Sequence, residues 1–202
     1  FLYVPYTAAH WPMHAKVEDI EKYKGIYDAG WEKIRQDRLE KMKKLGILAN
    51  DTDLSPLDTH PWVDEANQDV QSGRMEIYAA MIDAMDQGIG RILETLKAEG
   101  ILDNTLILFL QDNGGCAEEI GTKGETRPWA ESEEDQVPLS TNEIEYEIIP
   151  RITRKGKLIM QGEGIEGGPE TSYVAYGQPW ANVSNTPFRE YKHWIHEGGI
   201  ST

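Results

Sequence analysis

Lys192 stands five positions ahead of Glu197, and Gly198-Gly199 follow at once; a cation, an acid and two glycines are the make-up of an irregular loop that grips an oxyanion. Far away in sequence, Gln111-Asp112-Asn113-Gly114-Gly115 offers carboxylate and amide oxygens, hard donors suited to Ca²⁺ or Mg²⁺, beside a glycine pair that lets the backbone turn sharply. A third stretch delivers His10 ahead of Trp11-Pro12, and an imidazole placed there can serve as acid, base or anion contact. Each also has an ordinary reading. Asp112-Asn113-Gly114 is equally an Asn-Gly turn, His10 a hydrogen-bonded structural histidine, and Lys192 a surface lysine. His14, His60, His193 and His196 carry no stronger signal one by one.

Short apolar runs must position these groups. Phe1-Leu2-Tyr3-Val4-Pro5-Tyr6 is aromatic and β-branched, which predicts a strand buried on both faces that ends near Pro5 and leads to His10. Thr105-Leu106-Ile107-Leu108-Phe109-Leu110 is continuously apolar, as a parallel central strand is, and empties directly into Gln111-Asp112-Asn113. Ligands of open α/β sheets sit beyond the carboxyl ends of strands, where Asp112 and Asn113 would fall. Residues 17–46 predict two helices broken at Gly25 and Gly30, the second ended by Gly46 behind Lys41, Lys43 and Lys44. Residues 50–72 read as an exposed loop. Met75, Tyr78, Ile82, Met85, Ile89, Ile92 and Leu96 predict one apolar stripe on a helix capped near Ser72 and ended at Gly100. A hairpin is expected over 151–161 around Lys155-Gly156, and Asn50-Asp51-Thr52 and Asn182-Val183-Ser184 match a glycosylation sequon.

Bulk properties narrow the partners. With 202 residues the chain can bury one core, and 35 acidic against 20 basic residues give a formal charge of -15. That field repels nucleic acid and anionic membrane surfaces, so neither is an expected partner. A small anionic substrate needs a local positive pocket made of Lys, Arg or a bound cation. Cys116 stands alone, which excludes an intrachain disulfide. No run has the length of a membrane span, and no secretory leader is visible. The chain opens in mid-strand and stops shortly after Gly199, so a fragment of a longer protein is expected.

Taken together, the segments resemble the arylsulfatase family of the alkaline phosphatase superfamily. The run from Phe1 to Ala15 resembles that family's strand ending in a substrate-contacting histidine, and Tyr78-Ala79-Ala80-Met81-Ile82-Asp83-Ala84-Met85-Asp86 its signature helix. Asp103-Asn104-Thr105 through Asp112-Asn113-Gly114-Gly115 resembles the metal strand. Trp180-Ala181-Asn182-Val183-Ser184-Asn185-Thr186-Pro187-Phe188-Arg189, with Lys192 and Glu197-Gly198-Gly199, is similar to the segment that supplies a sulfate-binding lysine. Residues 117–171 match poorly.

The resemblance implies an α/β fold, an alkaline phosphatase-like α/β/α sandwich around a mostly parallel sheet, incomplete in this chain. Residues 1–116 would belong to the catalytic domain, 117–171 would be a divergent insertion or loop region, and 172–202 would return to the catalytic domain. By the same similarity Asp112 and Asn113 would be two ligands of Ca²⁺, with Mg²⁺ as the alternative ion. His10 would contact the sulfate or its leaving oxygen, and Lys192 would hold a sulfate oxygen. The family's nucleophile is formylglycine, made from Cys or Ser in a Cys/Ser-x-Pro-x-Arg motif that does not occur here. Cys116-Ala117-Glu118-Glu119 has neither the proline nor the arginine, so Cys116 reads as a small residue beside the metal strand. The remaining acidic ligands would lie upstream, and the isolated chain would bind Ca²⁺ weakly and turn over nothing. The implied function is metal-dependent hydrolysis of a sulfate ester, small-molecule or sulfated glycan, in the periplasm or outside the cell. The alternatives are a phosphodiesterase or phosphonate hydrolase of the same superfamily, or an inactive sulfatase-like protein that binds sulfated glycans.

Overall fold

A computed structural model of the chain describes residues 1–132 and 136–201. Helices dominate: α1 (Val17–Ile20), α2 (Gly30–Lys44), α3 (Gln68–Ala98), α4 (Gly177–Ser184) and α5 (Glu197–Ile200). Among the described residues the sheet has two strands, β1 (Arg127–Pro128) and β2 (Met160–Gln161), antiparallel with Arg127 opposite Gln161 and Pro128 opposite Met160. None of the helices is long and apolar enough to cross a membrane, a statement that covers the described residues.

The expected break between helices falls where the glycines stand. Gly30 opens α2 at φ +80, and a Cβ there would lie 2.2 Å from Trp62 Cγ, so only glycine lets the Trp62 indole close over the helix start. α2 buries Trp31, Arg35 and Leu39, one residue per turn, and Gly46 at φ +72 ends it, its N–H reaching Lys43 O at 2.9 Å.

Trp31 meets Trp62 edge-on at 4.6 Å between ring centres and Trp180 at 5.8 Å. Such pairs contribute about 0.5–1.5 kcal/mol each beyond burial. The buried indoles are satisfied: Trp31 Nε1 donates to His60 O at 2.9 Å and Trp180 Nε1 to Gln71 O at 2.8 Å. Around them gather Met13, Met75, Ile77, Met81, Val174 and Tyr176, which form the core.

α3 starts earlier than its sequence suggests, at Gln68 behind Asn67, and Ser72 lies inside it, donating to Asp28 at 2.6 Å instead of capping. Its first half is enclosed on several sides, so Ile77, Ala79 and Ala80 are buried with Met75, while Ile82 of the expected stripe is exposed. Arg74 is buried too, and its guanidinium donates to the carbonyls of Ile165, Gly162 and Glu163. Burial pushes it down to about 10, and the three carbonyls give the charge a partner shell.

The runs 1–7 and 105–110 are not strands among the described residues. Phe1, Leu2 and Tyr3 are exposed, and Leu106 and Leu110 show 84% and 81% of their surface. The apolar pattern is that of a buried strand, yet a strand exists only through a ladder, and no described segment pairs with either run. A parallel central sheet is therefore not formed by these residues.

Residues 117–171 hold both strands and the expected turn, where Thr153 N donates to Lys157 O and Gly156 takes φ +78. The stretch is stitched to the segment leading into α4, since Ala175 N donates to Ile120 O at 2.9 Å. Residues 133–135 of it, and Thr202 of the final stretch, lie outside the described residues. Asn182, the acceptor of one sequon, is fully buried in α4, whereas Asn50 is exposed.

Candidate active site

His10 is delivered by a turn in which its N–H bonds Thr7 O at 3.1 Å. Its Nδ1 lies 2.9 Å from Trp11 O. A carbonyl only accepts, so Nδ1 carries the hydrogen and Nε2 presents a bare lone pair. Lys192 Nζ sits 2.9 Å from that Nε2 and donates to it. Two groups 182 positions apart thus meet at hydrogen-bond distance on a solvent-open surface.

Lys192 is held from behind by the glycine turn after Asp112-Asn113. Its N–H donates to Gly115 O at 3.1 Å, and Gly114 N donates to Gly199 O at 3.1 Å. Gly198 is packed so closely that a Cβ would lie 2.2 Å from the carbonyl oxygens of Arg189 and Glu190. Asn185 bridges the two loops, accepting from Gly115 N at 2.7 Å and donating to Glu190 O at 2.9 Å. The flanking residues Glu190 and His193 take φ 64 and 83, a left-handed backbone that turns the loop back on itself.

Asp112 is exposed and Asn113 half-buried, with the Asn113 amide donating to Gly114 O at 2.9 Å. That bond spends the amide nitrogen on the turn and leaves the side-chain oxygen free to accept a hydrogen bond or face a cation. Asp112 and Asn113 each carry a side-chain oxygen of the hard kind that Ca²⁺ takes six to eight of. The glycines that follow them bond the Lys192 loop through backbone, at Gly115 O and Gly114 N, and no hydrogen bond between the Asp112 side chain and His10 or Lys192 is present among the described residues.

Glu118 escaped the sequence reading and is the hub. One carboxylate oxygen accepts from Trp11 Nε1 at 2.7 Å and from Cys116 Sγ at 3.1 Å, and the other faces His193 Nε2 at 3.2 Å. It thereby ties the residue after His10 to the residue after Lys192. The thiol hydrogen bond first, then those from Trp11 and His193 and the Lys192 charge, hold the carboxyl down to about 2 despite partial burial. Cys116 is buried, desolvation pushes its thiol up, and the thiol donates a hydrogen bond to Glu118.

The other histidines serve structure. His14 Nε2 lies 2.9 Å from Ser172 O, His60 pairs with Glu65 at 3.0 Å, and His196 caps α5 by accepting from Glu197 N. A tetrahedral oxyanion entering the site would take the Lys192 N–H now directed at His10 and meet a histidine nitrogen able to hold or release a proton.

A family model described as Sulfatase matches residues 1–194. The chain is 34% identical over 206 aligned positions to an arylsulfatase of Klebsiella aerogenes, covering 100% of this chain and 39% of that protein. It is 32% identical to an uncharacterized sulfatase of Schizosaccharomyces pombe over 99% of this chain and 32% of the relative. A steryl-sulfatase of Mus musculus is 40% identical over 48 residues, 24% of this chain and 8% of the relative. The chain thus spans between about a third and two fifths of the length of these two sulfatase relatives.

Proposed function

The chain belongs to the sulfatase family, and we propose that it supplies part of the catalytic site of a sulfuric ester hydrolase that converts sulfate esters to alcohol and inorganic sulfate. The contact between Lys192 and His10 carries this reading, because it unites the two sequence-predicted sulfate contacts at 2.9 Å.

In this reading Lys192 neutralises charge on a sulfate oxygen, an interaction that strengthens as the ester bond breaks. Binding of that oxygen frees His10 Nε2 from the ammonium, and Nε2, once it has taken up a proton from solvent, passes it to the departing alcohol oxygen. Asp112 and Asn113 would hold Ca²⁺, or Mg²⁺ in its place, and the ion would supply fixed positive charge for the transferring group. The nucleophile is a formylglycine from a Cys/Ser-x-Pro-x-Arg motif that is not among these 202 residues.

Residues 1–116 and 172–202 belong, in the same reading, to an alkaline phosphatase-like α/β catalytic domain with 117–171 as its divergent part. The exposed apolar runs 1–7 and 105–110 have the surfaces of central strands awaiting neighbours. The charge of -15 makes the Lys192 ammonium and a bound cation the natural means of holding an anionic ester.

Substituting Lys192→Ala in the full-length gene product tests the reading with 4-nitrophenyl sulfate as substrate. The expected result is a loss of about 10²–10³-fold in kcat with the fold intact. Turnover at the parent rate would remove Lys192 from the site.

A further inference from the structure

His10, Cys116 and Glu118 each offer one ligand atom, and those atoms lie within 4.8 Å of one another. We infer that these three side chains form a binding site for a thiophilic divalent metal of the Zn²⁺ class. The donors differ in kind from Asp112 and Asn113: imidazole nitrogen, thiolate and one carboxylate select Zn²⁺-like ions, whereas oxygens alone suit Ca²⁺ and Mg²⁺.

The surrounding contacts orient the donor groups. His10 Nδ1–H is fixed on Trp11 O at 2.9 Å, which leaves Nε2 as the coordinating atom; a ligating histidine is oriented in the same manner by a carbonyl on its other nitrogen. Glu118 is oriented by Trp11 Nε1 at 2.7 Å and by His193 at 3.2 Å. Cys116 Sγ stands 3.1 Å from Glu118, and in tetrahedral zinc the ligand atoms are separated by roughly 3.3–3.8 Å, given bonds of about 2.0–2.3 Å. The His10 ring is exposed, so it is free to close on the other two donors. Three protein ligands leave the fourth corner to water.

Binding replaces the thiol hydrogen, so one proton leaves Cys116 for solvent with each ion taken up. The Nε2 lone pair that binds the metal is the one that accepts from Lys192, so the ion and the ammonium compete for it.

Co²⁺ titration of the full 202-residue chain, read by absorbance, tests the site without reference to turnover. One Co²⁺ per chain should give a thiolate charge-transfer band in the near ultraviolet with four-coordinate visible bands, displaced by Zn²⁺ and unaffected by Ca²⁺. Cys116→Ser should abolish the charge-transfer band, and His10→Ala and Glu118→Gln should each weaken Co²⁺ binding about tenfold or more. His10 is exposed, so its variant keeps the fold, as an unchanged circular dichroism spectrum will verify. Absence of the band, its displacement by Ca²⁺, or undiminished affinity in both the His10 and Glu118 variants would overturn the inference. Sulfate-ester hydrolysis stands or falls separately, on Lys192→Ala.

Discussion

Gly114 lies so close to Gly198 that a Cβ on it would sit 1.7 Å from the Gly198 carbonyl oxygen. The turn behind Asp112-Asn113 and the loop after Lys192 therefore meet backbone to backbone, without room for a methyl group on either side. Gly114→Ala must push the loops apart and break the Gly114–Gly199 hydrogen bond. Overpacking against backbone costs about 1–3 kcal/mol, so urea unfolding of this variant should shift to lower denaturant by that amount. An unchanged midpoint would show that the loops do not touch.

Gly90 gives the opposite sign. It is inside α3, and a Cβ there would meet nothing within 4 Å. Gly90→Ala should stabilise the chain by about 0.5–1 kcal/mol, chiefly through reduced backbone entropy of the unfolded state. A destabilised Gly90→Ala would mean that this helical surface is covered by something, and thermal unfolding measures the sign directly.

The contrast between His10 and Glu118 shows what a sequence makes legible. His10, Lys192 and Asp112-Asn113 stand out because each ends an apolar run or borders glycines, and local pattern marks such places. Glu118 is one of 35 acidic residues and has no local mark; its role comes from Trp11 and His193, which approach from 107 and 75 positions away. The helices were visible for a related reason: α2 and α3 follow from spacing and from glycine stops within a single segment. The runs 1–7 and 105–110 have strand chemistry, but pairing is a property of two segments, and composition alone could not say whether a neighbour was at hand. Ser72 misled because it is a good cap residue whose hydroxyl found Asp28 instead.

Glu118 also predicts a pH dependence. Its folded carboxyl is held at about 2, below the ordinary 4.5, so folding favours the ionised form. The stabilisation it brings is fully present above 4.5 and is lost as pH falls toward 2. Glu118→Gln should lower the urea midpoint near neutral pH and leave it closer to the parent's at the acid end of that window. A gap of constant size across the window would show that hydrogen bonding by shape, rather than charge, is what Glu118 provides.

His10 and Lys192 are in direct contact, so their effects on catalysis should not add. If the ammonium and the imidazole act on one sulfate group, removing either disorders the other, and the second removal has less left to take away. His10→Ala and Lys192→Ala should each lower kcat/KM for an aryl sulfate by about 10²-fold or more in the full-length gene product. The double variant should then fall far short of the product of the two losses. Losses that multiply fully would place the two residues in independent roles, and the 2.9 Å hydrogen bond between them would then be a feature of the resting surface alone.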